Sequence, residues 1–175
     1  TERQEIFKFL SKGNYDRIYD PFLLNDMDKA VERIWRAVNG GEKICIYGDY
    51  DVDGVSSVSI LYLYLEKLGA NVDYYIPNRK GEGYGVSEQA IYKLSEKGTK
   101  LIVTVDTGVT AYKEVEIAKK LGIDTVITDH HECPDVLPEA IAVINPKRKD
   151  TTYPFSSLAG VGVVFKVLCA MELLH

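Results

Sequence analysis

The chain has 175 residues, a formal net charge of −5, and apolar and charged fractions typical of globular proteins. That is one domain's length, long enough to bury a core. The acidic balance does not advertise a nucleic-acid surface, nor does it exclude one, because a carboxylate-rich metal site lowers the formal count. Cys45, Cys133 and Cys169 are odd in number and lack Cys-x-x-Cys spacing. They argue against a disulfide framework or a cysteine-held zinc, and for free thiols in a reducing, cytoplasmic setting. No secretory leader and no apolar run of roughly 18 residues is visible, so no membrane span is expected.

Residues 1–25 read as a lead-in, with a short apolar cluster at Ile6, Phe7, Phe9 and Leu10 and a turn at Asp20-Pro21. Met27, Ala30, Val31, Ile34, Trp35 and Val38 recur at helical spacing after Asn25-Asp26, and Asn39-Gly40-Gly41 stops that helix. A strand at 44–47 runs into Gly48-Asp49-Tyr50-Asp51-Val52-Asp53-Gly54, followed by a helix over 55–68 closed by Gly69. A second strand covers 72–76. Ser87 caps a helix running to about Lys97. Leu101-Ile102-Val103-Thr104-Val105 is a β-branched run, as expected of a strand buried on both faces. A helix at 111–121, strands at 125–128 and 141–144, an irregular segment at 147–157 and a helix from Val163 to about Leu174 complete the chain.

Alternating strands and helices predict an α/β fold: a mostly parallel sheet of five or more strands with helices on both faces, Rossmann-like in layout. Ligands in such sheets sit beyond the carboxyl ends of the strands. Every unusual polar group falls there: Asp49, Asp51 and Asp53; Arg79; Asp106; Asp129, His130 and His131; Lys147 and Arg148. Three alternating carboxylates repel one another unless a cation relieves them. In an extended loop Asp51 and Asp53 point the same way. With Asp106 and the Asp129-His130-His131 group they make an oxygen-rich set with one or two imidazoles, which suits Mg²⁺ or Mn²⁺. The number of carboxylates suits two ions. Two ions roughly 3.5–4 Å apart perform phosphoryl displacement on water.

Plainer readings stand beside these. Asp49 is equally a turn residue, Asp106 a helix cap, and His130-His131 a surface turn. The Gly81/Gly83/Gly85 loop could approach a phosphate or be a surface loop, and it lacks a P-loop ending. Gly160 and Gly162 could present N–H groups to an anion or serve close packing. Arg79, Lys80, Lys147, Arg148 and Lys149 could line a phosphate-binding rim or form a solvated face. Tyr47, Tyr50 and Tyr84 could stack on a base. No Ser-His or Cys-His nucleophile arrangement is visible, so covalent catalysis is not indicated.

The motifs Asp-Tyr-Asp-Val-Asp-Gly at 49–54, Asp-Thr-Gly at 106–108 and Asp-His-His at 129–131 resemble the Asp-His-His phosphoesterase superfamily. Asp20-Pro21-Phe22-Leu23-Leu24, the stretch 77–85 and Leu158-Ala159-Gly160-Val161-Gly162 are similar to RecJ-type single-strand-specific 5′→3′ DNA exonucleases. The resemblance implies a hydrolase dependent on Mn²⁺ or Mg²⁺, with two ions, that serves DNA repair and recombination. It implies single-stranded DNA as partner, and a repair helicase or single-strand-binding protein beside it. It makes Asp51, Asp53, Asp106 and His130 metal ligands, with Asp106 bridging and Asp49 either a ligand or a group just behind them, and puts His131 on the scissile phosphate or the leaving oxygen. Asp129 would orient the histidines. Arg79, Tyr84, Gly160 and Gly162 would contact substrate.

Other branches of the superfamily are oligoribonucleases, cyclic-dinucleotide phosphodiesterases and pyrophosphatases; the last place a histidine where this chain has Tyr47. A non-catalytic DNA-replication scaffold shares the fold, but would be expected to lose the metal ligands. The resemblance also implies a single domain, with a helical lead-in over 1–40, a core over 41–146, and a loop and terminal helix over 147–175. In the family a further aspartate and a second domain follow, so the chain is expected to be the amino-terminal part of the catalytic domain, with weaker metal binding on its own.

Overall fold

The computed structural model describes residues 18–78 and 85–174. The lead-in before Ile18 and the expected substrate contacts Arg79 and Tyr84 lie outside the described residues. A 3₁₀ turn at Pro21–Leu23 is capped by Asp20, whose carboxylate accepts from the Phe22 amide at 2.9 Å. Helix α1 (Met27–Asn39) follows, then β1 (Ile44–Gly48), α2 (Val52–Lys67), β2 (Val72–Tyr75), α3 (Glu88–Glu96), β3 (Leu101–Val105), α4 (Tyr112–Lys120), β4 (Asp124–Thr128), β5 (Ala142–Ile144) and α5 (Gly160–Leu173).

The five strands form one parallel sheet in the order β2-β1-β3-β4-β5. Side chains alternate between its faces. Ile44, Ile46, Leu101, Val103, Val105, Val126, Ala142 and Ile144 join one core with α1, α2 and α5. Cys45, Tyr47 and Ile102 face the other way, onto α3 and α4, and Ile127 and Val143 pack beside α4 on that same face. Right-handed crossovers explain this division. The chain moves from β1 outward to β2 through α2, then reverses past β1 to β3 and β4, so the later crossover helices cover the opposite face. Burial on both faces accounts for the continuous apolar strands. It also pushes the Cys45 thiol up to about 12, which leaves it an inert packing group.

Two helices start earlier than periodicity predicts. Helix α2 begins at Val52, because Asp51 is its N-cap: the Asp51 Oδ1 accepts from the amides of Asp53 and Gly54, both at 2.9 Å. The acidic stretch is therefore not an extended loop, and Asp53 lies in the first helical turn. Helix α5 begins at Gly160 rather than Val163, and Ala159 supplies no side-chain cap.

Sheet register sets the position of the site. Gly48 is level with Val105, Val105 with Thr128, and Thr128 with Ile144. The next residues along the four strands, Asp49, Asp106, Asp129 and Asn145, therefore form a row across the carboxyl edge. The strand order reverses between β1 and β3, and the crevice at such a point is where open α/β sheets bind ligands.

Candidate metal centre

Asp106 is the centre of this edge. It is 2% exposed, and its backbone is left-handed with φ 59°, a conformation that aspartate tolerates better than most residues. Its amide donates to the Thr128 carbonyl at 3.0 Å, which carries the β3–β4 pairing one residue further. The following turn is held by Thr104, whose hydroxyl donates to the Thr107 carbonyl at 2.8 Å. Gly108, at φ 112°, fits there because a side chain would strike that hydroxyl. Asp106 Oδ1 is buried and accepts no hydrogen bond among the described residues; His130 Nε2 lies 3.0 Å away. Burial, with Asp53 and Asp51 nearby, pushes the Asp106 carboxyl up to about 7.

Two clusters of potential ligand atoms share this residue. Asp49, Asp51 and Asp106 present atoms within 4.8 Å of one another, and so do Asp106, His130 and His131. Asp106, buried and with an orphaned carboxylate oxygen, is common to both sets, and the donors of each set fit a divalent cation. Asp53 lies outside both sets. Its Oδ2 is 3.6 Å from His130 Nε2, while its two oxygens accept from the amides of Gly160 and Val161 at 2.8 and 2.7 Å.

Asp129 organises the histidines. It is 1% exposed; its Oδ2 accepts from the Val109 amide at 2.9 Å. Its Oδ1 takes the amides of His130 and His131 at 2.7 and 3.1 Å and the His131 ring Nδ1 at 2.6 Å. Burial alone would raise the Asp129 carboxyl, but these hydrogen bonds outweigh it and hold it below the ordinary value. The bond to Asp129 carries the His131 imidazole, against a smaller cost of burial, up to about 9. Asn145, fully buried at the exit of β5, donates to the His131 carbonyl at 2.9 Å and accepts from the Lys147 amide at 2.8 Å. The sequence shows Asn145 only as a strand end. Its role depends on which exits are neighbours.

Other expected contacts are committed elsewhere. The Gly160 amide, a candidate anion donor, is taken by Asp53, and Gly162 packs on Leu158 in the first turn of α5. Arg148 does not line a phosphate rim. It pairs with Asp26 at 2.6 Å and Asp150 at 2.7 Å and donates to the Val143 carbonyl. Lys147 pairs with Glu132 at 2.9 Å, and Lys149 with Asp135. Tyr47 is fully buried and cannot stack on a base; its hydroxyl donates to the Gly85 carbonyl and accepts from the Ser87 amide, both at 3.2 Å. Tyr50 is half-buried beside Asp49. A cleft of about 340 Å³ opens against Asp49, Asp106, Asp129 and His131. Among the described residues, no helix is long and apolar enough to cross a membrane.

Comparison with known proteins agrees with this geometry. The family model for the DHH family, N-terminal domain, matches residues 43–174. The single-stranded-DNA-specific exonuclease RecJ of Bacillus subtilis is 52% identical over 153 residues, which are 87% of this chain and 20% of that protein. The RecJ of Escherichia coli is 43% identical over 150 residues, covering 85% of this chain and 26% of that protein. The chain thus spans about a fifth to a quarter of the length of these relatives. A crystal structure of exonuclease RecJ bound to manganese superposes with a TM-score of 0.79 at 31% identity, covering 86% of this chain and 38% of that one. RecJ of Thermus thermophilus in complex with Mn²⁺ gives a TM-score of 0.73 at 28% identity, over 89% of this chain and 22% of that one. From residue 43 to residue 174, motifs and fold alike, the chain belongs to the DHH family and carries its N-terminal domain.

Proposed function

We propose that this chain is the metal-binding, bond-breaking part of a 5′→3′ exonuclease acting on single-stranded DNA. The observation that carries the reading is Asp106, a buried carboxylate with an unpartnered oxygen, shared by two sets of potential ligands at one sheet edge. Asp49, Asp51 and Asp106 form one donor set; Asp106 and His130 form the second, with Asp53 beside His130. Asp49, Asp51, Asp106 and His130 would hold a pair of Mn²⁺ or Mg²⁺ ions, which would supply an activated water and neutralise charge on the phosphoryl oxygens. Asp129 fixes the loop that carries both histidines. His131, its Nδ1 bound to Asp129, keeps Nε2–H as a donor for the scissile phosphate or the leaving oxygen. Arg79 and Tyr84 are assigned to substrate contact, and Gly160 to the neighbourhood of the reacting phosphate. The buried, hydrogen-bonded Tyr47 argues against a pyrophosphatase-type site, which needs a ligand at that position.

The names of the relatives support single-stranded DNA as substrate and the free thiols a cytoplasmic location, and a setting in DNA repair or recombination is part of the same proposal. A repair helicase or single-strand-binding protein would deliver such strands, and the whole chain is assigned to one DHH-type domain. The test is incubation with Mn²⁺ and labelled single strands. Mononucleotide release from the 5′ end, lost in Asp106→Ala, is expected. Release that survives Asp106→Ala, or faster turnover of dinucleotides or pyrophosphate than of long strands, contradicts the reading.

A further inference from the structure

We infer that Gly160 is a positioning residue for the Asp106 carboxylate, and that the first turn of α5 is the back wall of the metal centre. This rests on the reading of that centre given above. A Cβ on Gly160 would lie 2.5 Å from Asp106 Oδ1 and 2.8 Å from both its Cβ and its Cγ, closer than real side chains come. Neither partner is free to yield. Asp106 is buried, its backbone is left-handed, and its amide is bonded to Thr128. Helix α5 is held by the two Asp53 bonds at Gly160 and Val161, and by Val163, Val164, Val167, Ala170 and Met171, which are buried in the core.

The helix start therefore meets the site at two points. Asp53 attaches it through the N–H groups, and Asp106 rests against the bare Cα of residue 160. A methyl group at position 160 must either move Asp106 Oδ1 away from His130, now 3.0 Å distant, or break the bonds to Asp53. Both outcomes alter the spacing of the donor atoms. Gly162 provides a matched contrast in the same turn: its Cβ would come nearest to Leu158 Cδ2, at 3.3 Å, the movable end of a side chain.

Mn²⁺ titration of the wild-type chain, Gly160→Ala and Gly162→Ala, by calorimetry and electron paramagnetic resonance, tests the inference. Gly160→Ala is expected to weaken Mn²⁺ binding about 10- to 100-fold, as loss of a group that orients ligands does. Gly162→Ala should bind as the wild type does. Urea unfolding in EDTA gives a readout independent of metal: the stability lost in Gly160→Ala should vanish in an Asp106→Gly background. Should Gly160→Ala not fold at all, the double variant is expected to recover folding. Wild-type Mn²⁺ affinity in a folded Gly160→Ala overturns the inference. So does a stability loss that persists undiminished in Asp106→Gly, or a double variant that fails to recover. If the wild-type chain itself binds no Mn²⁺, the metal reading fails, and the unfolding cycle alone decides whether residues 160 and 106 are in contact.

Discussion

Two aspartates at neighbouring strand exits are driven in opposite directions by their surroundings. Asp129 and Asp106 are both almost fully buried, but Asp129 accepts four hydrogen bonds whereas Asp106 Oδ1 accepts none. Asp129 is built to stay charged and to hold a loop. Asp129→Ala leaves buried N–H groups unpaired and should cost about 3 kcal/mol in urea unfolding. Asp106 is built to gain stability from a cation, and this has a pH signature in EDTA. The folded chain keeps a proton on Asp106 up to about 7, whereas the unfolded chain loses it near its ordinary value of about 4. Stability present at low pH is therefore lost as pH rises towards 7. His131 acts in the same direction: its contribution is complete below about 6.5 and is lost as pH rises through about 9. The melting temperature of the metal-free chain should fall from pH 5 to pH 9. Asp106→Asn should flatten the lower part of that slope, and His131→Gln the upper part. A melting temperature that climbs over this range would contradict both assignments. The identity of these residues was legible in the motifs, and the family resemblance carried the expectation that Asp106 bridges and Asp129 orients the histidines; the physical basis of that division was not legible, because it depends on Val109 and on burial.

Elements whose signals are local were readable, and those capped from afar were not. Strand β1 announced itself as an apolar run and β3 as a continuous apolar, β-branched one, and Ser87 was visible as the cap of α3, accepting from the Ala90 amide at 3.2 Å. The start of α2 was missed because Val52 is 82% exposed and adds nothing to the apolar stripe. The start of α5 was missed because its cap is Asp53, which lies 107 residues earlier in the chain. Asp51 and Asp53 thus serve helix termini, and Asp51 also belongs to a set of potential metal ligands, two duties that can be separated. Asp51→Ser keeps a capping oxygen and should hold metal-free stability near wild type, whereas Asp51→Ala should lose about 1 kcal/mol. Both should lose Mn²⁺ affinity. Urea unfolding in EDTA alongside metal titration checks this; if Asp51→Ser binds Mn²⁺ as tightly as wild type, the carboxylate is a cap alone.

Across the whole molecule, the site follows from topology. Reversal of strand order between β1 and β3, with four exits in register, brings residues from positions 49, 106, 129 and 145 into one row. The alternating pattern made the parallel sheet and its functional edge legible, but not the strand order, so Asn145 could not be placed behind His131. The far edge of the sheet is closed by a similarly distant pair. Asp26 accepts from the Val143 amide at 3.4 Å while Arg148 donates to the Val143 carbonyl at 2.8 Å, which satisfies the outer side of β5 and removes Arg148 from any substrate rim. What unites these observations is a carboxylate shared between two sets of potential metal ligands. Calorimetric titration of Mn²⁺ into wild-type and Asp106→Asn chains measures it directly. Two ions per wild-type chain, with both lost together in Asp106→Asn, is the expected result. Retention of either ion at wild-type affinity in Asp106→Asn, or no binding to the wild-type chain at millimolar Mn²⁺, would contradict it.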